Sequence, residues 1–204
     1  MQNEIQNLKN EFLNLKNKIE ENYKKNDSNI TNNFKSDIFM NEIEKNLVLN
    51  QISDKISSIK LLFSSKLYGT DVTKLKEAYL YRPNLIFTIM TKKGRRFGAY
   101  SSEIFIDETF QKKDTKAFLF SLDHKKIIKS KSTDLDIWKQ SLDSIDFGGG
   151  SNIRIFYDFS SNKNYTNQSE YYYDYTNCQS FVLNGEQNFS VHLLEIFQIC
   201  FSYN

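Results

Sequence analysis

A run of three glycines, in the segment SIDFGGGSNIRIF at 144–156, is the first feature whose residue types could do chemistry. Glycine-rich loops bind phosphate when they open a helix, and the Walker type also needs a Lys followed by Ser or Thr after the last glycine. The letters SNIRIF that follow Gly150 lack that lysine, and their alternation of polar and apolar residues is typical of a strand. The sequence therefore predicts a tight turn before a strand rather than a nucleotide site.

The two histidines and two cysteines form no pattern typical of a metal site or of nucleophilic catalysis. His124 lies in the charged segment LDHKKIIK, and His192 alternates to the face opposite its apolar neighbours. Cys178 and Cys200 are too few for a disulfide framework and lack the spacing of zinc ligands. A pair of either cysteine with His192 stays open on spacing, although a single cysteine in an aromatic-rich strand usually belongs to a core. We therefore expect no metal, no cofactor and no enzymatic activity.

Two clusters of basic residues are candidate binding surfaces. In the simplest interpretation both are solvated turns, and in the functional one they bind an acidic protein surface or anionic lipid. The formal net charge of +2 is too small for a dedicated nucleic-acid binder, and no aromatic residues alternate with the cations in an RNA-binding pattern. The clusters are Lys92, Lys93, Arg95 and Arg96, which we predict as possible partner-binding residues, and Lys125, Lys126, Lys129 and Lys131.

One acidic residue stands among apolar ones near the end of the chain. In the segment NFSVHLLEIFQI, a strand period of two places Glu195 on the same face as five apolar residues. A buried carboxylate is costly unless it is paired or hydrogen-bonded, so we expect a partner such as Arg95, Arg96, Arg154 or a tyrosine hydroxyl. A bulge that turns Glu195 to solvent and a catalytic role are the alternatives. The five apolar residues on the predicted face are Phe189, Val191, Leu193, Phe197 and Ile199.

Two N-terminal segments precede the part of the chain that carries these residues. Residues 1–21 have apolar residues at a 3, 4, 3, 4 spacing, which predicts a coiled-coil-like helix of little more than two heptads. That helix could associate with itself or a partner, or pack on its own domain. Residues 22–37 are rich in Asn, Lys, Asp and Ser without a period, which indicates a polar linker. The helix carries Ile5, Leu8, Phe12, Leu15 and Ile19 on its apolar seam.

The remainder of the chain predicts a helical lead-in over 38–60 and a main domain over 61–204. Ile43, Leu47, Ile52, Ile56 and Ile59 recur at helical spacing in the lead-in. In the main domain, Thr70-Asp71 predict the N-cap of a short helix after Gly69, and past Pro83 short apolar runs alternate with turn signals. One of these turns, Lys92-Lys93-Gly94, indicates a hairpin. Helices followed by antiparallel strands predict an α+β fold with a two-sheet sandwich.

The sequence has no run of 18 apolar residues, so we expect no segment that spans a membrane. The polar, amphipathic N-terminus MQNEIQNLKN does not have the pattern of a secretory signal peptide. The two cysteines agree with a reducing compartment. We therefore expect a cytoplasmic protein.

Five phrases, in this order, resemble the TLDc domain family: LLFSSKLYGTDVTKL at 61–75, RRFGAYSS at 95–102, AFLFSL at 117–122, DFGGGSNIRIF at 146–156 and NFSVHLLEIFQI at 188–199. The family has a Leu-Leu-Tyr start before a helix, a Phe-Gly-Gly-Tyr strand, an Ala-Phe-Leu-Phe strand, a Phe-Gly-x-Gly turn and a closing Glu-Val-Phe strand. The chain departs from this pattern at three positions, which hold Phe63, Ala99 and Ile196. The segment NQSEYYYDYTNCQSF before the last strands is also unusual.

The resemblance implies a two-sheet antiparallel β-sandwich flanked by helices. It also implies a protein that binds and regulates the vacuolar-type proton ATPase and contributes to protection against oxidative stress, peripheral on organelle membranes through that partner. No catalytic mechanism is established for the family. The alternative is a scaffold protein that self-associates through 1–21. The family-motif residues, which we expect to be structural, are Phe97, Gly98, Phe147, Gly148, Gly150 and Glu195.

Overall fold

Two antiparallel sheets build the part of the chain that the computed structural model describes, residues 35–106, 110–131, 138–140, 143–148, 152–168, 173–178 and 182–202. The predicted coiled-coil-like helix at 1–21, most of the predicted linker, and Gly149 and Gly150 of the glycine run lie outside these residues.

Three helices and twelve strands follow one another in the described chain. They are α1 Glu42–Leu49, β1 Ile56–Ser64, α2 Ser65–Tyr68, α3 Val72–Tyr79, β2 Leu85–Thr91, β3 Arg96–Ser101, β4 Phe110–Lys112, β5 Phe118–Ser121, β6 Lys126–Lys129, β7 Trp138–Gln140, β8 Ser144–Phe147, β9 Ile153–Phe156, β10 Asn164–Thr166, β11 Asn188–Phe189 and β12 Val191–Phe201.

The first sheet has the strand order β1-β12-β2-β3-β5-β6, and the second has β11-β10-β9-β8-β7-β4. Every pair of neighbouring strands in both sheets is antiparallel. The hairpin predicted across Lys92-Lys93-Gly94 is the β2–β3 pair. Strand β12, from the end of the chain, lies between β1 and β2. The first sheet is therefore complete only when β12 has paired with both β1 and β2.

The inner faces of the two sheets pack on each other through aromatic side chains. Phe87 of β2 contacts Phe147 of β8 with ring centroids 5.1 Å apart, and Phe97 of β3 contacts Phe189 of β11 at 5.2 Å. All four rings are buried. These edge-to-face pairs hold the two layers together, so the structure confirms the predicted antiparallel two-sheet architecture.

The outer face of the first sheet is buried as well. Phe118 and Phe120 of β5 lie on this side in one apolar cluster with residues of β12. The chain before β1 covers this cluster, because Ile38, Phe39 and Val48 pack into it and Phe39 stacks on Phe120 at 6.2 Å. Both faces of the first sheet are therefore packed against other parts of the chain.

Two short helices begin where side chains cap them. The side chain of Asn41 accepts a hydrogen bond from the Glu44 amide at the start of α1, and that of Asp71 accepts one from the Lys74 amide at the start of α3. These caps satisfy amides that have no partner within the helix. The N-cap that the sequence predicted at Thr70-Asp71 is therefore confirmed at Asp71.

The helical lead-in predicted over 38–60 is helical only at Glu42–Leu49 in the structure, and Ile56–Ser64 is strand β1. A spacing of three between Ile56 and Ile59 suits a helix, but the same residues are β-branched and suit a strand. Pairing with β12 along the length of β1 decides between them. The helical interpretation of this segment was wrong because the strand partner is far away in the sequence.

Two glycines of the predicted motif occupy places where a side chain does not fit. A Cβ at Gly98 would overlap the carbonyl oxygen of Phe87 and lie 2.5 Å from Cζ of Phe120. Gly148 has φ +82°, and a Cβ there would overlap Oδ1 of Asn152. The first position requires glycine for close packing and the second for both its φ and its packing. At both positions the surrounding structure leaves room only for glycine.

We expect Gly98→Ala to lower the free energy of unfolding by about 3 kcal/mol, because the neighbouring backbone and ring must move to admit the methyl group. Gly94→Ala is the matched control, since Gly94 has a positive φ of +80° but open space around a Cβ. Gly94→Ala should lower the free energy of unfolding by about 1 kcal/mol, from backbone strain alone. Urea unfolding of the two variants measures both values, and equal losses would contradict the packing role of Gly98.

Candidate functional site

The turn of the β2–β3 hairpin presents three exposed cations. Two backbone hydrogen bonds, each 2.9 Å long, close the turn. The Thr91 amide donates to the carbonyl oxygen of Arg95, and the Gly94 amide donates to the carbonyl oxygen of Thr91. Lys92 donates to the carbonyl oxygen of Ser160 at 3.2 Å, and Lys93 pairs with Glu186 at 2.5 Å. We call Lys92, Lys93 and Arg95 the basic hairpin.

A cleft of about 530 Å³ lies beside the basic hairpin. Lys93, Arg95 and Lys125 line it, so the structure brings residues of the two predicted basic clusters together. Arg96 and the carboxylates of Glu44 and Asp123 line the same cleft. Lys125 has a φ of +49° in the turn between β5 and β6. The sequence alone did not indicate that these residues are neighbours, because the two clusters are far apart along the chain. The pairing of β3 with β5 brings them together.

Arg96, the fourth predicted partner-binding residue, is held inside the protein. Its Nη1 donates to Glu44 Oε2 at 2.9 Å and its Nε to Asp123 Oδ1 at 3.1 Å. Nη1 also donates to the carbonyl oxygen of Ile38 at 3.2 Å. Burial acts to lower the pKa of Arg96, but the two carboxylates outweigh it and raise the pKa. With 11% of its side chain exposed, Arg96 joins α1 and the chain before it to the first sheet.

Glu195 of β12 is buried, as the strand period predicted, and is 1% exposed. The Ser36 hydroxyl donates to Oε2 at 2.5 Å and the Asp37 amide to Oε1 at 3.0 Å. Ser36 Oγ in turn accepts hydrogen bonds from the amides of Ile38 and Phe39, both at 3.0 Å. We call residues 35–40 the N-terminal strap. Glu195 is the acceptor that fixes the strap to the sheet.

Burial raises the pKa of the Glu195 carboxyl, and the nearby charge of Asp37 acts in the same direction. The hydrogen bonds from Ser36 and the Asp37 amide lower it, but they only partly offset the burial. Both carboxylate oxygens have donors on the strap. The geometry therefore assigns Glu195 a structural role as a hydrogen-bond acceptor.

The partner of Glu195 is not one of the groups expected from the sequence. Arg96 pairs with Glu44 and Asp123. Arg154 makes a bidentate salt bridge with Asp146, in which Nε donates to Oδ1 at 2.8 Å and Nη2 to Oδ2 at 2.6 Å. The actual donors come from a segment that the sequence assigned to a linker. No periodic signal could have indicated them, since Ser36 and Glu195 are 159 positions apart.

A bulge lies on β12 before Glu195, and it does not turn the Glu195 side chain to solvent. The pairing with β2 shifts between Val191 and Leu193. Val191 then belongs to the inner core, whereas Leu193, like Glu195, lies on the strap side. The prediction of a single apolar face from 189 to 199 was therefore wrong at its beginning, because the extra residue reverses the alternation.

The histidines and cysteines remain apart from these contacts. His192 is exposed on β12, and Cys178 and Cys200 are free thiols of intermediate exposure. In the described residues, no group of three His, Cys, Asp or Glu side chains could hold a metal ion. The helices of the same residues include none that is long and apolar enough to cross a membrane.

Arg96 and Arg95 offer a direct comparison of a buried and an exposed arginine. Arg96→Met leaves Glu44 and Asp123 without their shared cation, so we expect a loss of about 3 kcal/mol in the free energy of unfolding. Arg95→Met, one position away and exposed, should stay within about 0.5 kcal/mol of the wild type. Urea unfolding compares them, and similar losses would show that the ion cluster does not hold the helix and strap.

The raised pKa of Glu195 predicts a pH dependence of stability. A carboxyl in the unfolded chain titrates near a pKa of about 4.3, so the native state retains this proton to higher pH than the unfolded state. Its contribution is complete below the unfolded pKa and is lost as the pH rises through the folded pKa. Because Glu195→Gln cannot ionise, its free energy of unfolding relative to wild type should increase as the pH rises above the unfolded pKa of about 4.3.

The measurement is urea unfolding of both proteins at several pH values. Glu77→Gln serves as the control, because Glu77 is exposed and pairs with Lys74 on the surface of α3. This variant removes an exposed carboxylate and leaves Glu195 and its donors on the strap in place. Parallel curves for wild type and Glu195→Gln would contradict the raised pKa.

Comparison with known proteins agrees with the five phrases in the sequence. A family model described as the TLDc domain matches residues 19–200, which include both sheets, the basic hairpin, the strap and Glu195. None of the curated proteins matches the chain. Since the family model covers most of the chain, the chain belongs to the TLDc domain family.

Proposed function

We propose that this protein is a non-enzymatic interaction module that binds and regulates the vacuolar-type proton ATPase and contributes to protection against oxidative stress. Membership of the TLDc family supports this proposal, because the family is associated with both activities. The protein would work at the cytoplasmic side of an organelle membrane and reach that membrane through its protein partner.

The observation that carries a binding role is the convergence of exposed cations at one end of the first sheet. Lys93, Arg95 and Lys125 line one cleft, and Lys92 lies on the same turn. Lys93 already has a carboxylate partner in Glu186, which illustrates the chemistry that this surface accepts. An acidic surface of a protein partner would add further carboxylates and associate faster through electrostatic steering.

Arg96 lines the same cleft but is not proposed as a contact residue. Its guanidinium is committed to Glu44, Asp123 and the carbonyl of Ile38. A change at Arg96 would disturb the fold, so it cannot report on a partner. The proposed contact set is therefore the basic hairpin together with Lys125.

The test is binding of the full chain to the purified cytosolic sector of a vacuolar-type proton ATPase at low salt. We expect the triple variant Lys92→Glu, Lys93→Glu, Arg95→Glu to weaken binding by about tenfold or more, because attraction to an acidic surface becomes repulsion. Binding and thermal unfolding are measured on the same preparations, so that loss of fold is recognised.

The matched control is Lys55→Glu, Lys74→Glu, Lys113→Glu, three exposed lysines elsewhere with the same total charge change. This variant should bind within about twofold of the wild type if the contact is local. Equal losses in the two triple variants would contradict a specific basic surface. No binding by the wild-type chain would contradict the proposed partner.

Self-association through residues 1–21 stays a prediction of the heptad spacing. Those residues lie outside the described part of the chain.

A further inference from the structure

The Ser36 hydroxyl holds the N-terminal strap on the first sheet through three hydrogen bonds. It donates to Glu195 Oε2 at 2.5 Å and accepts from the amides of Ile38 and Phe39 at 3.0 Å each. We propose that Ser36 is a phosphorylation site and that a phosphoryl group on this oxygen releases the strap from the sheet. This inference does not depend on the proposed binding to the ATPase, which concerns the basic hairpin.

The strap is placed so that an enzyme can reach Ser36. Residues 35–40 form neither helix nor strand, and Ser36 is half-buried between Lys35 and Asp37, which are both exposed. Ser36 also lines a cleft of about 530 Å³. A short segment held by a few contacts opens locally without unfolding the rest of a domain. A protein kinase can therefore bind the open strap while the two sheets stay folded.

Phosphorylation changes both the charge and the hydrogen-bonding capacity of this side chain. The phosphoryl donor is ATP in the active site of a protein kinase. A bond forms between Ser36 Oγ and the γ-phosphorus, the bond from that phosphorus to the leaving oxygen of ADP breaks, and the hydroxyl proton passes to a carboxylate base of the kinase. The products are ADP and a seryl phosphate with a charge of about −1.5 to −2 at pH 7.

The phosphorylated side chain cannot keep the contact with Glu195. Ser36 Oγ has lost the proton that it donates, and the 2.5 Å between the two oxygens leaves no space for a phosphoryl group. The new charge also lies close to two carboxyl groups, because Asp37 is the next residue and Glu195 is 1% exposed. Burying a phosphate beside carboxyl groups is costly, so the strap leaves the sheet.

The lysines near Ser36 do not provide a fixed counter-charge for a phosphate beside Glu195. Those that line the same cleft are Lys35, Lys45 and Lys66. Lys45 pairs with Glu42 at 2.6 Å. Lys66 pairs with Asp37 at 3.1 Å. Lys35 belongs to the strap and moves with it, so the repulsion between the phosphate and Glu195 decides the outcome.

Release of the strap exposes an apolar surface. Ile38 and Phe39 are 0% and 4% exposed in the docked strap, and Phe39 stacks on Phe120 of β5 with ring centroids 6.2 Å apart. The carbonyl oxygen of Ile38 also accepts a hydrogen bond from Arg96 at 3.2 Å. A charge added at one hydroxyl therefore uncovers the outer face of the first sheet and removes one contact of the Arg96 ion cluster.

The test of release uses the full chain with phosphoserine placed at position 36 by genetic code expansion. We expect the amides of Ile38 and Phe39 to exchange hydrogen at least about tenfold faster than in the unmodified chain, because the strap opens. Amides of the second sheet should exchange at unchanged rates. Unchanged exchange in the strap would overturn the proposal, and so would equal acceleration in both sheets, which would mean unfolding rather than release.

Phosphoserine at position 53 is the matched control. Ser53 is exposed, and both it and Ser36 are followed by an aspartate that pairs with a lysine. A phosphate at Ser53 should leave exchange in the strap within about twofold of the unmodified chain. The same acceleration of the strap by either phosphate would show that added charge acts regardless of its position, and would contradict the role of Ser36.

Glu195→Gln tests whether the phosphate acts through the contact with the sheet. This variant removes the carboxylate to which the unmodified Ser36 donates. Phosphoserine at position 36 should therefore accelerate exchange in the strap by a factor at least about threefold smaller in Glu195→Gln than in the wild type. Equal acceleration in the two backgrounds would contradict release through Glu195.

The modification itself is tested on the full chain purified from its own cells with phosphatases inhibited. Trypsin releases residues 36–45, in which Ser36 is the single side chain with a hydroxyl group, so a phosphate on this peptide identifies the site. We expect mass spectrometry to find this phosphate in the wild type and not in Ser36→Ala. A peptide without phosphate in both growing and starved cells would overturn the assignment of Ser36.

Discussion

The burial of one carboxylate is the constraint on which the first sheet depends. Glu195 lies on β12, between β1 and β2, on a face covered by apolar side chains. A carboxylate in such a place needs donors, and the N-terminal strap supplies them through Ser36 and the Asp37 amide. The same contact places Ile38 and Phe39 on the outer face of the sheet. The hydrogen bonds to Glu195 and the apolar packing of the strap therefore depend on each other.

Arg96 is a second point at which the strap is held to the first sheet. It joins β3 to α1 through Glu44, to the strap through the carbonyl of Ile38, and to the β5–β6 turn through Asp123. Its neighbour Arg95 has no share in this cluster and faces solvent with the basic hairpin. Adjacent arginines therefore have different roles, because Arg96 begins β3 and pairs with Glu44 and Asp123, whereas Arg95 precedes the strand and is exposed. The fold holds Arg96 in an ion cluster and leaves Lys92, Lys93 and Arg95 exposed.

The exposed cations of the first sheet lie at one of its ends. Lys92, Lys93 and Arg95 are exposed on the turn of the β2–β3 hairpin, and Lys125 is exposed in the turn between β5 and β6. These turns belong to the region matched by the TLDc family model. Because the first sheet is packed on both faces, its charged side chains are found at its turns rather than on those faces.

The sequence by itself determined much of the architecture. The alternation in β9, the turn glycines Gly94 and Gly148, and the five family phrases could be predicted because strand period and turn chemistry are local. Tertiary structure alone decided that Ile56–Ser64 is a strand, that Ser36 is the partner of Glu195 and that Arg96 pairs with Glu44 and Asp123. Each of these depends on residues distant in the chain, and no local period encodes which distant group supplies a strand edge, a hydrogen bond or a counter-charge.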